Sequence, residues 1–260
     1  MKIVVFDLDE TLGYFVEFGI FCDCLNKYLK NSNKYEIQQE NFNQILDLYP
    51  EFLRPNIINI LNYLKSKKTS KCCQKMMIYT NNQGPKQWAI NLISYFETKI
   101  KYKLFDQIIA AFKVNGNQIE MCRTTHDKSH NDFIKCTKLP VNAEICFLDD
   151  NFYPEMSNKN IYYIHLKPYI HQLNFNEMIK RLSESVIGSK IIQDKDVFEE
   201  QMNNDFKNYK YDYLGKSKED YEIDEILGKQ IMNHLRIFFN RSKTKRNNRT
   251  RQNKTAKNKY

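Results

Sequence analysis

Several things are missing from this sequence. No run of about eighteen apolar residues occurs, which excludes an ordinary membrane-spanning helix. The first residues show no basic segment followed by an apolar stretch and a cleavage site, the pattern of a secretory leader. The chain is therefore expected to be soluble and inside a cell, cytoplasmic or nuclear, with no membrane partner. The cysteines number 7, an odd count, and fall in neither a zinc-ribbon spacing nor a regular disulfide framework. Cys22-x-Cys24 and Cys72-Cys73 lack the paired spacing of a metal site, so reduced thiols are expected throughout. Acidic residues are absent from 241–260, where nine positive charges fall; the remaining 240 residues balance 31 basic against 31 acidic side chains. The net charge of +9 thus belongs to the end of the chain and says nothing of the rest.

What is present is enough for one sizeable α/β domain with an appendage: 260 residues, 42% hydrophobic. The abundance of Asn, Lys, Ile and Tyr is that of AT-rich genomes such as those of large DNA viruses or some protists, which makes a virus-encoded origin one expectation.

The opening run Lys2-Ile3-Val4-Val5-Phe6-Asp7-Leu8-Asp9-Glu10-Thr11-Leu12 organises the reading. Its β-branched and aromatic residues, without a breaker, predict a strand buried on both faces that ends in two carboxylates. Side chains alternate along a strand, so Asp7 and Asp9 leave the same face and converge while the strand persists. Two carboxylates held that close repel, and one holds its proton more readily than the other. Taken alone, the same residues also suit an acidic strand-to-loop turn.

Further along, 14–50 reads as a largely helical insertion, with Phe18, Phe21, Cys22, Leu25, Tyr28 and Leu29 at helical spacing, then a second segment carrying Phe42, Ile45 and Leu46. Pro55 suits the first turn of a helix bearing Ile57, Ile60, Leu61 and Leu64. Lys75–Tyr79 is the second buried strand. It ends in Thr80-Asn81-Asn82-Gln83-Gly84-Pro85 before a helix, a turn whose Thr80 hydroxyl and free N–H groups can cradle a phosphoryl oxygen. A third strand is expected over 104–111, and polar loops with a hairpin over 113–125. A helix follows over about 131–139, then a fourth strand, Glu144–Leu148, ending in Asp149-Asp150-Asn151. Residues 161–166 make a fifth strand and about 174–185 a closing helix. The stretch 188–217 shows little period beyond a patch near 197–202, and 217–240 reads as a helix. Residues 241–260 lack the apolar content to fold and are expected to be disordered.

The motif Asp7-x-Asp9-x-Thr11 resembles the signature of the haloacid dehalogenase superfamily, whose members mostly hydrolyse phosphate esters through an aspartyl-phosphate intermediate. Thr80 at the end of the second strand, a lysine before a helix and an acidic pair about twenty residues later resemble that superfamily's remaining motifs in order. Lys128, 21 positions before Asp149, fits the lysine; Lys135 and Lys138, inside the following helix, are the alternatives. Leu53-Arg54-Pro55 before a helix also resembles the phosphatases that act on the C-terminal domain of RNA polymerase.

The resemblance covers about residues 1–170. It implies a Rossmann-like parallel sheet with helices on both faces in a catalytic domain of 1–187, the insertion 14–50 forming a small cap. A helical extension (188–240) and the basic tail (241–260) follow. It implies Asp7 as nucleophile, Asp9 as general acid and base, and Lys128 as the cation beside them. Thr80, Asn81 and Lys128 would hold substrate, with Asp7, Asp9 through its carbonyl, Asp149 and Asp150 around Mg²⁺. An acid at position 9 favours phosphatase over dehalogenase. A phosphoprotein is one expected substrate; a small molecule or a nucleic-acid 3′ end is another. A weakly active binding module is a third reading, with the tail on nucleic acid or an acidic partner, and the tail also reads as a solubilising extension.

Overall fold

The structure, a computed structural model, describes residues 1–32, 34–209, 213 and 215–256, with side chains as far as Arg241. Residue 33 of the insertion, 210–212 and 214 of the extension, and 257–260 of the tail lie outside the described residues.

The molecule is α/β. Five parallel strands, β1 (Lys2–Phe6), β2 (Lys75–Tyr79), β3 (Gln107–Ile109), β6 (Glu144–Asp149) and β7 (Ile161–His165), form one sheet in the order β3-β2-β1-β6-β7. The chain leaves β1 toward β2 on one side and returns to place β6 on the other. β1 and β6 therefore flank the point where strand order reverses, where ligands bind beyond the carboxyl ends of such sheets. A small antiparallel hairpin, β4 (Lys113–Val114) with β5 (Asn117–Gln118), lies outside the sheet, as the sequence suggested.

Alternation along β1 divides the core. Val4 and Phe6 enter a large cluster with residues of α1 (Val16–Asn31), α2 (Gln39–Leu46), α3 (Ile57–Thr69), α4 (Lys86–Ile100) and α6 (Phe175–Ser183). Ile3 and Val5 enter a smaller cluster with Tyr79, Phe147 and Phe133, the last from α5 (His130–Thr137). Both faces are covered, so the strands read as continuous apolar runs. Arg54, buried before α3, ties the loop after β1 in place, its guanidinium donating to the carbonyls of Thr11 (2.7 Å), Glu10 (2.5 Å) and Lys167 (2.9 Å).

The structure corrects several expectations. Within 14–50, Phe18, Phe21, Phe42 and Ile45 are fully buried in the main core, and Phe18 packs against Phe42, Tyr49, Phe52 and Trp88. Aromatic area of this size is worth more buried against the sheet than held over solvent. The third strand is shorter than 104–111 because it is an edge strand pairing only with β2. The stretch 188–217 contains α8 (Lys195–Phe206), whose Phe198, Met202 and Phe206 meet the core at four-residue spacing, and a short α7 (Val186–Ile191) precedes it. The last helix, α9 (Lys218–Ala256), passes the expected end near 240 and carries backbone helix into the basic run. Lys, Arg and Gln are good helix formers, and no Gly or Pro falls after Gly228 to stop it.

Cys122 and Cys136 form a disulfide, against the expectation of reduced thiols, while Cys22, Cys24, Cys72, Cys73 and Cys146 are free. The pairing follows from the hairpin folding back beside α5, a tertiary event invisible in Cys spacing. Among the described residues, no helix is long and apolar enough to cross a membrane.

Candidate active site

The site begins with register. Val5 pairs with Phe147 and Phe6 with Leu148, and the Asp7 N–H donates to the Leu148 carbonyl at 2.9 Å. Asp7 therefore continues the odd-numbered series of β1 beside Asp149, which continues that of β6. Both carboxylates emerge on the face of the sheet covered by α5. The loop before α5 delivers Lys128 to them from that face: its Nζ lies 2.5 Å from Asp7 Oδ1 and 2.6 Å from Asp149 Oδ2. Ser129 fixes the start of α5, its hydroxyl accepting from the Asp132 N–H at 3.1 Å. Lys135 and Lys138 are exposed and take no part in the cluster.

All three partners are buried, with Asp149 at 0% and Lys128 at 1% exposure, so their charges are held by one another and not by water. Burial raises the Asp7 carboxyl above its ordinary range, and the Lys128 ammonium works against that rise. Burial likewise lifts Asp149 to about 7 despite Lys128. For Lys128 burial favours the neutral amine, but Asp7 and Asp149 together prevail and its affinity for a proton is raised.

Asp150 completes the group. Its two oxygens accept from the Thr11 hydroxyl (3.0 Å) and the Asn151 side-chain amide (3.0 Å). One carboxylate oxygen each from Asp7, Asp149 and Asp150 lies within 4.8 Å of the others. Three carboxylate oxygens at that spacing could hold a small, hard divalent cation and do not suit a thiolate-seeking metal.

Asp9 stands at the edge of this group. Its Oδ2 accepts from the side-chain amide of Asn82 at 2.7 Å. Burial and the neighbouring Asp7 push its carboxyl up to about 7, with Asn82 pulling the other way. Asp9 thus differs in surroundings from Asp7, which faces the ammonium directly. Glu10 takes the left-handed conformation (φ 56°) that reverses the chain here. Gly13 is needed for space: a β-carbon there would collide with the Phe52 carbonyl and the Phe15 ring.

Thr80 is buried at the end of β2, and its hydroxyl accepts from the Asn82 N–H at 3.0 Å, shaping the loop that aims Asn82 at Asp9. Asn81 turns elsewhere, donating to the Tyr153 hydroxyl at 3.0 Å. Of the two asparagines, the one expected to meet substrate is thus directed to Tyr153, and its neighbour reaches the carboxylate. His165 Nε2 lies 3.0 Å from the Asp150 carbonyl.

Arg123 also escaped the sequence reading. Its guanidinium is buried and donates to the carbonyls of Thr80 (3.1 Å), Ala110 (2.9 Å) and His126 (2.8 Å). One cation thereby joins the ends of β2 and β3 to the loop that carries Lys128. Asn82, Asn151, Arg54 and Arg123 are common residue types in loops, and only the three-dimensional arrangement distinguishes them. No family model matches the chain, and searches of curated proteins and of solved structures found no match.

Proposed function

We propose that the protein is a Mg²⁺-dependent phosphomonoesterase that works through an aspartyl-phosphate on Asp7. The observation that carries the reading is the buried Lys128 ammonium bridging Asp7 and Asp149 at 2.5 and 2.6 Å, at the switch point of a parallel sheet. A cation so placed holds a nucleophilic carboxylate and an incoming phosphoryl oxygen together.

In the proposed reaction a carboxylate oxygen of Asp7 attacks phosphorus in line and the ester P–O bond breaks. Asp9, whose carboxyl holds its proton up to about pH 7, gives that proton to the leaving oxygen. Water then attacks the phosphoryl group with Asp9 as base, restoring the Asp7 carboxylate and releasing inorganic phosphate. The buried Thr80 hydroxyl and Lys128 face the equatorial oxygens. A divalent ion held by Asp7, Asp149 and Asp150 would supply the positive charge that lets a carboxylate approach a phosphate dianion.

The test is a panel of phosphopeptides, nucleotides, sugar phosphates and 3′-phosphorylated DNA, assayed with and without Mg²⁺. Release of phosphate from at least one member, lost on chelation, is the expected result. It also separates phosphoprotein from small-molecule and nucleic-acid-end substrates. No release from any member removes the proposal.

A further inference from the structure

Glu120 and Cys122 flank Met121 in the tight turn after β5, which is closed by the Arg123 N–H donating to the Glu120 carbonyl at 3.1 Å. Cys136 faces them from α5, bonded to Cys122. All three are half-buried, within reach of water. One oxygen of Glu120 and both sulfurs lie within 4.8 Å of one another.

The carboxylate is the unexplained member of this group. Its Oε2 accepts from the Ala110 N–H at 3.3 Å, and its Oε1 lies 3.2 Å from Cys122 Sγ. A disulfide sulfur carries no proton, so the oxidised pair offers that oxygen nothing to accept. Two thiols, or a cation shared by all three groups, would. Cys136 is anchored as well: the side-chain amide of Gln107, on β3, donates to its carbonyl at 3.1 Å. Strand, turn and helix thus hold the three ligands in place before any ion arrives.

Zinc binds sulfur at about 2.3 Å and carboxylate oxygen at about 2.0–2.2 Å in a tetrahedron, which requires sulfurs about 3.8 Å apart and an oxygen roughly 3.5 Å from each. Glu120 already sits near its distance from Cys122. Opening the S–S bond frees the sulfurs to separate by side-chain rotation. Two thiolates and a carboxylate select a borderline-soft cation, unlike the all-oxygen group at Asp7.

We propose that in the reduced chain Cys122, Cys136 and Glu120 bind one Zn²⁺, with water in the fourth position, and that forming the disulfide expels it. Binding releases the two thiol protons. With a peroxide as oxidant, the two thiolates lose two electrons and join, the peroxide O–O bond breaks, two protons complete two waters, and Zn²⁺ leaves. The turn stays tied to α5 in both states, by metal or by sulfur bond. The site shares no ligand with the Asp7 group, so it stands whether or not the protein hydrolyses phosphate esters.

Cobalt(II), which accepts the same geometry, is the probe. The phosphine-reduced full chain should bind it with thiolate-to-cobalt charge transfer in the near ultraviolet, a band that the oxygen-only group at Asp7 does not give, and Zn²⁺ should displace it. The disulfide form, made with hydrogen peroxide, should show no band, and neither should reduced Cys122→Ser. Cys72→Ser, at the exposed free cysteine, should leave the band unchanged. Glu120→Gln should weaken Zn²⁺ binding by at least about tenfold, the low end of what losing even an outer partner costs a metal site. That variant keeps the disulfide, so it decides the matter even if Cys122→Ser does not fold. The inference is overturned if the reduced chain shows no charge transfer, if the band persists in the disulfide form or in Cys122→Ser, if it is lost in Cys72→Ser, or if Glu120→Gln binds Zn²⁺ as tightly as wild type.

Discussion

Lys128 Nζ lies 2.6 Å from Asp149 Oδ2 although the residues are 21 positions apart, and neither is open to solvent. Breaking a buried pair by deleting one partner leaves an uncompensated charge. Lys128→Met is expected to destabilise the metal-free protein by on the order of 3–5 kcal/mol at pH 8. The loss should be smaller at pH 5, where the carboxylates left behind can take up protons. Denaturant unfolding at the two pH values measures it; an equal loss at both would contradict the assignment of charge.

The same cluster sets a pH dependence. Asp9 and Asp149 ionise near 7 in the folded protein and near the ordinary 3.8 when unfolded. Between those values the folded state binds more protons, so their contribution to stability is present at low pH and is lost as the pH rises toward 7. In chelator, the melting temperature of wild type should fall from pH 5 to pH 7.5 relative to that of Asp149→Asn. Parallel curves for the two proteins would show that Asp149 does not titrate in this window.

Asp9→Asn separates protonation of the leaving group from nucleophilic attack. Turnover of an alkyl phosphate, whose leaving oxygen needs a proton, should fall about 10²–10⁴-fold. Formation of the covalent species from para-nitrophenyl phosphate, whose leaving group departs without one, should fall far less. Equal losses on the two substrates would place Asp9 outside the proton transfer.

Arg123→Met leaves the three carbonyls it serves, on Thr80, Ala110 and His126, without their donor. The Thr80 loop and the Lys128 segment are then no longer held to one another. KM should rise for every phosphate ester tested, by a similar factor, while Asp7 still accepts the phosphoryl group. A change confined to one substrate would show that Arg123 reads the leaving group instead.

Much of this architecture was legible because burial on both faces leaves an unambiguous trace in β1, β2 and β6, and because an acid that ends such a strand has few other reasons to be there. The alternation that puts Val5 in one cluster and Phe6 in the other also predicts which face Asp7 takes. What escaped depends on contacts between distant segments. Asn81 and Asn82 are chemically identical in sequence, and the Thr80 hydroxyl bond to the Asn82 N–H decides which one meets Asp9. Arg123 and the Cys122–Cys136 bond depend on a hairpin folding back over α5. The helices of 14–50 were legible as helices, but their periodicity does not say whether their apolar stripe packs on the sheet or over its edge.

The most direct measurement is acid-quenched intact-mass spectrometry during turnover of para-nitrophenyl phosphate with Mg²⁺, paired with the Asp7→Asn variant. The account predicts a single added phosphoryl group, mapped to the peptide containing Asp7 and absent from the variant, which folds normally and does not turn over. Undiminished hydrolysis by Asp7→Asn, or a phosphoryl group mapped elsewhere, would contradict it.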